Sequence, residues 1–119
     1  MYEAAVWNLA DGSKIYGYFK YSCGGEGCGG ELSSLHFFDA KYKDITEKVL
    51  PMKQLRDLVK KDFRSPDGQL VPTEAERTYM IAIPQKGTTI DVSVGILGIG
   101  LNKMGSLTFD KKAGKFSFK

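Results

Sequence analysis

The chain has 119 residues, 42% of them hydrophobic, and its 17 Lys and Arg against 14 Asp and Glu leave a net charge of +3. A chain of this length can bury roughly two thirds of the surface its unfolded form exposes, so one globular domain over 1–119 can own a core without a metal or several disulfides. No apolar run approaches the roughly 18 residues of a membrane span, and the charge falls short of the strongly basic footprint of a dedicated nucleic-acid binder.

The first predicted element is a β-hairpin. An apolar run at 4–9 leads into the turn dipeptide Asp11-Gly12, and 15–21 then alternates Ile15, Gly17, Phe19 and Tyr21 against Lys14, Tyr16, Tyr18 and Lys20. The first set suits a core, with Trp7 beside it, while the second places two tyrosines between two lysines on the outer face. Residues 23–30 hold five glycines in eight positions and read as a loop. Residues 32–38 read as a third strand with Leu35 and Phe37 on one face.

One principal amphipathic helix is expected around 51–64, opened by Pro51 at its first turn. Met52, Leu55, Val59 and Phe63 recur at helical spacing, with Leu58 widening the stripe, and Ser65-Pro66-Asp67-Gly68 ends it. After an irregular stretch containing Pro72, residues 77–84 read as a strand through Tyr79, Ile81 and Ile83. A turn at 85–87 leads to Ile90, Val92, Val94 and Ile96 in strict alternation. The apolar phase then slips beside Gly95 and Gly98, which predicts a β-bulge or a sharp bend. Strands at 107–109 and 116–118 close the chain as a terminal hairpin. The order of elements gives an α+β class: a curved, mostly antiparallel sheet of six or seven strands, closing toward a partial barrel, with the helix on one face.

The residues that could carry chemistry are few. Cys23 and Cys28 lie in the glycine-rich segment at a spacing that permits a disulfide; in a reducing compartment they would be free thiols. With His36 they could instead supply three ligands to zinc, completed by Glu26 or Asp39, or a thiolate served by His36 and Asp39. The segment matches neither nucleotide fingerprint, and Glu26 and Glu31 would repel an anion. Lys53, Arg56, Lys60 and Arg64 form a stripe along the helix that could face phosphates or an acidic partner. The positive charge is uneven as well, since residues 1–52 carry 5 basic and 7 acidic side chains and 53–119 carry 12 and 7.

Ile96-Leu97-Gly98, Leu101, Leu107-Thr108-Phe109-Asp110, Gly114 and Phe118 resemble the last strands of retroviral-type aspartic peptidase domains, over roughly the final quarter of the chain. That family's catalytic Asp-Thr/Ser-Gly has no counterpart. Lys20-Tyr21-Ser22-Cys23-Gly24 stands where an early hairpin would present it, and Asp91-Val92-Ser93 also departs from it, so the resemblance carries no catalytic aspartate over.

The sequence therefore points to a non-enzymatic binding domain acting through protein–protein contact, as an inhibitor, an immunity-type protein or an accessory subunit would. Tyr16, Tyr18, Tyr21 and Glu26 are its candidate interface, with no cofactor and with nucleic acid as a disfavoured partner. The alternative is a metal- or thiol-dependent protein centred on Cys23, Cys28 and His36. With Met1 as the native start there is no signal peptide and the expectation is cytoplasmic; with a leader removed it is periplasmic or secreted. Exposed edge strands could support a homodimer, but no residue selects one.

Overall fold

A computed structural model describes residues 1–25, 27–58, 68, 71–84 and 89–119. Among them are nine strands: β1 Tyr2–Asn8, β2 Lys14–Lys20, β3 Ser22–Gly24, β4 Gly27–Gly29, β5 Leu35–Phe38, β6 Thr78–Ala82, β7 Thr89–Ile96, β8 Gly100–Asp110 and β9 Lys115–Phe118. All strand pairs are antiparallel. The α+β class, dominated by strands, is as expected. The single curved sheet is not: the strands divide into three sheets, ordered β1-β2-β5, β3-β4 and β6-β7-β8-β9.

The first hairpin follows the alternation. Ile15, Gly17 and Phe19 are buried while Lys14, Tyr16 and Lys20 are exposed, because successive side chains leave opposite faces of a strand. β5 adds antiparallel to β2, with Gly17 opposite Phe37 and Phe19 opposite Leu35. This sheet packs its inner face on the third sheet through rings: Phe116 of β9 lies 5.3 Å from Trp7, 5.1 Å from Phe37 and 5.0 Å from Phe109 between centroids. The buried residues of both sheets and the helical segment form one hydrophobic cluster. Glu3 adds a polar tie, its carboxylate accepting the Ile83 N–H at 2.8 Å.

The glycine-rich segment departs from the expected loop. It forms the β3–β4 ribbon, with Cys23 directly opposite Cys28 and the two sulfurs bonded at 2.04 Å. Gly30, just after it, exchanges two backbone hydrogen bonds of 2.8 Å with Tyr79 and so ties the ribbon to β6. Glycine content alone argued against a strand. The covalent cross-link and this anchor supply the order that the side chains cannot. Removing the link with Cys23→Ser and Cys28→Ser is expected to cost about 2 kcal/mol, the chain-entropy value for so short a loop, read as a lower urea midpoint. Intact-mass alkylation without reductant is expected to find no free thiol on the native protein.

Among the described residues α-helix occupies two short segments, one on each side of Pro51. α1 Thr46–Val49 and α2 Met52–Arg56 are separated at Leu50, whose ψ of 143° is extended. The pyrrolidine ring of Pro51 disfavours the helical conformation for the residue before it, and α1 ends there. Met52, Leu55 and Leu58 are buried as the stripe predicted. Val59, Lys60, Phe63 and Arg64 lie outside the described residues, as does the turn at 85–87.

The phase slip after Ile96 is a hairpin turn. Gly98 takes a φ of +86°, the left-handed region glycine enters without steric cost, and the Ile99 N–H reaches the Ile96 carbonyl at 3.0 Å. A bulge does occur, but farther on. Val92 opposes Gly105 and Ser93 opposes Lys103, leaving Met104 as the extra residue of β8.

Candidate functional site

The outer face of the first sheet is aromatic. Antiparallel register places Tyr16 beside Val6 of β1 and Phe38 of β5, and Tyr18 beside Ala4 and His36. The rings of Tyr18 and Phe38 are parallel to within 8° at 5.8 Å, and His36 lies 5.5 Å from Tyr18 and 6.1 Å from Phe38. Tyr18, His36 and Phe38 are half-buried by one another, whereas Tyr16, Val6 and Tyr2 are 37%, 47% and 73% exposed. Lys14 and Lys20 flank the rings along β2. A shallow depression of about 340 Å³ opens between Tyr2, Ala4, Tyr18 and Lys20.

A polar network holds the β5 edge of this face. His36 Nδ1 lies 3.1 Å from Asp44 Oδ2, and an ionised carboxylate can only accept, so Nδ1 carries the hydrogen. Asp44 Oδ1 accepts from the Thr46 hydroxyl at 2.6 Å and the Thr46 N–H at 2.9 Å. The Thr46 hydroxyl, buried, in turn accepts the Phe37 N–H at 2.9 Å. Chief among the causes, the Thr46 hydroxyl and then the Thr46 N–H hold the Asp44 carboxyl below its ordinary value; burial opposes them, and His36 adds a lesser lowering effect.

A carboxyl depressed in the folded state contributes stability that is fully present above its unfolded pKa of about 4 and is lost as pH falls through the lower folded value. Melting temperature is therefore expected to drop on acidification below about pH 4. Asp44→Asn is expected to lower the neutral-pH value and to make that acid drop shallower; equal acid slopes for both proteins would remove Asp44 from the account.

The other residues named from sequence scatter. Tyr21 is half-buried and stacks on Phe19 at 6.1 Å, with the core rather than with Tyr16 and Tyr18. Cys23 and Cys28 are exposed on the ribbon, and their sulfurs, bonded to each other, are not thiolates. No three His, Cys, Asp or Glu side chains gather to hold a metal among the described residues, so Cys23, Cys28, His36 and Asp39 are not brought into one centre. Glu26 lies outside the described residues. Of the basic stripe, Lys53 is exposed and Arg56 is paired with Glu47 at 3.0 Å, while Lys60 and Arg64 fall outside the described residues.

Sequence reasoning missed Tyr2, Val6 and Phe38 as members of the face. The signal was present in the parity of 35–38, which sends His36 and Phe38 opposite to Leu35 and Phe37. A strand beginning at residue 4 leaves out Tyr2, and the apolar run 4–9 hides the outward position of Val6. Among the described residues no helix is long and apolar enough to cross a membrane. Comparison with protein-family models, curated proteins and solved structures gave no match.

Proposed function

We propose that the protein is a non-enzymatic binding domain that acts through protein–protein contact, with the outer face of the β1-β2-β5 sheet as its contact surface. The observation that carries this reading is the patch formed by Tyr2, Val6 and Tyr16 around the stacked rings of Tyr18, His36 and Phe38. Tyrosine gives large contact area at low entropic cost because it has only two side-chain torsions, and aromatic residues are enriched where proteins meet. The rings also stand on a hydrogen-bonded sheet whose other face is core, so little order has to be gained on binding. A partner that fits is a protein surface presenting an apolar patch with polar groups at its margin, positioned to meet Lys14 and Lys20.

The test is site-specific photocrosslinking in an extract of the source cells, with p-benzoylphenylalanine at position 16 and, as a control on another surface, at position 53. One discrete adduct from position 16 and none from position 53 is expected, competed away by excess unmodified protein but not by the Tyr16→Ser, Tyr18→Ser variant. Equal labelling from both positions would overturn the reading. So would unfolding of the serine variant, since the rings would then belong to the fold.

A further inference from the structure

A second surface lies where three turns meet at one end of the molecule, and it is built differently. The Ala10 N–H donates to the Lys111 carbonyl at 3.0 Å and Leu9 packs on Gly114, joining the β1–β2 turn to the β8–β9 turn. The segment between β5 and α1 closes the third side. Together they enclose a groove of about 480 Å³. Its floor is aliphatic: Leu9, Ile15, Ile45 and Val49. Its rim is basic, with Lys14, Lys41, Lys48 and Lys115 against one acid, Asp39.

Asp39 makes no close ion pair with a rim lysine, although the charges of Lys43 and Lys41 act on it after its backbone hydrogen bonds. Its Oδ1 accepts the backbone N–H groups of Lys41 at 2.9 Å and Lys43 at 3.0 Å, which shapes its own turn. The neighbouring turns use Asp11 and Asp110 in the same way, on Ser13 and on Lys112 and Ala113. Among the described residues none of the four rim lysines has an ion-pair partner, and Lys14 donates only to the Asn8 amide oxygen at 2.8 Å. Beside the rim, Tyr42 is held 82% exposed at a φ of 63°, a backbone region uncommon for a residue with a side chain.

We propose that this groove seats an acidic segment of a partner protein that carries an apolar side chain between its carboxylates. The four ammonium groups, which outnumber the single carboxylate of the rim and form no ion pair among the described residues, complement carboxylates on either side, and the floor accepts the apolar side chain they bracket. Polynucleotide suits the groove less well, because its own lining holds no aromatic ring to stack a base and a single ring beside it, Tyr42, offers no stacking platform for successive bases. Nor does a bilayer, because the floor is recessed below the lysines. The inference shares only Lys14 with the aromatic face, and because its test varies Lys41 and Lys115 it stands or falls separately.

The test is fluorescence anisotropy with a fluorescein-labelled peptide, Glu-Glu-Leu-Glu-Glu. Binding at low salt is expected to weaken about tenfold or more in the Lys41→Glu, Lys115→Glu variant, as loss of complementary charge requires. Both lysines are exposed, so the variant should stay folded, with a melting temperature lowered by only a few degrees by the new like charges near Asp39 and opposite Asp110. Changing the peptide's leucine to serine is expected to weaken binding severalfold while leaving its charge unchanged. Four results would overturn the proposal: no binding at low salt, indifference to the charge reversal, equal affinity for the serine peptide, or tighter binding of a single-stranded oligothymidylate or of phosphatidylserine vesicles.

Discussion

Phe116→Ala is expected to destabilise the protein by about 3–5 kcal/mol, the range for deleting a buried aromatic ring, and to lower the melting temperature by roughly 12–20 °C. Phe116 is 5% exposed and its ring touches those of Trp7, Phe37 and Phe109, three residues on three different strands and in two sheets. Its loss therefore opens a cavity at the seam between the sheets rather than within one of them. The seam has little to refill it, since its lining is made of rings fixed by their own contacts. Trp7 is the chain's one tryptophan, so its fluorescence in a urea titration reads the seam directly. Phe118→Ala, at a half-buried ring, serves as the control and is expected to cost about 1 kcal/mol. A loss under 2 kcal/mol for Phe116→Ala would mean that the sheets are held together elsewhere.

Where side-chain alternation was strong, the fold was legible. Ile15 and Phe19, Tyr79 and Ile81, and Ile90, Val92 and Val94 all point inward as read, because burying one face of a strand is a local property of its own residues. The division into three sheets was not legible. It depends on which strand edges pair, and the Gly30–Tyr79 bridge that bounds the ribbon joins residues 49 positions apart. β8 was read as three residues and has eleven, since Asn102, Lys103, Gly105 and Ser106 carry no strand pattern and the extra residue Met104 resets the parity. The helix expected from Pro51 onward left α1, on the other side of that proline, unread. Thr46–Val49 has a single turn's worth of residues and no periodicity to detect.

The candidate sites divide along the same line. Tyr16 and Tyr18 could be placed on an outer face from β2 alone. Their partners His36 and Phe38 required knowing that β5 adds to β2 rather than to another edge. The basic groove needed three turns brought together in space. Each of them begins with an aspartate and is followed by lysine: Asp11 before Lys14, Asp39 before Lys41 and Lys43, Asp110 before Lys111 and Lys112. That recurrence was readable. What was not readable is that the aspartates spend hydrogen-bonding capacity on backbone N–H groups while Lys14 and Lys41 line a common groove with Lys48 and Lys115.

Gly17→Val is expected to cost about 3 kcal/mol, the upper end for overpacking a filled core, although a β-branched residue is otherwise favoured in a strand. The obstacle is space. A Cβ at Gly17 would sit 2.6 Å from Phe37 Cε1 and 2.8 Å from Trp7 Cζ3, well inside van der Waals contact. Neither ring can yield freely, since Phe37 is fully buried, Trp7 is 2% exposed, and both rest on Phe116. The absent side chain is what lets the two rings lie across the inner surface of β2 and reach the third sheet. Pairing Gly17→Ala with Phe37→Leu should then recover part of the loss that each change causes alone, an interaction energy of about 1 kcal/mol or more in a double-mutant cycle. Additive losses would show that the rings move aside. A stabilising Gly17→Ala, from the reduced entropy of the unfolded chain, would show that the space at Gly17 is not limiting.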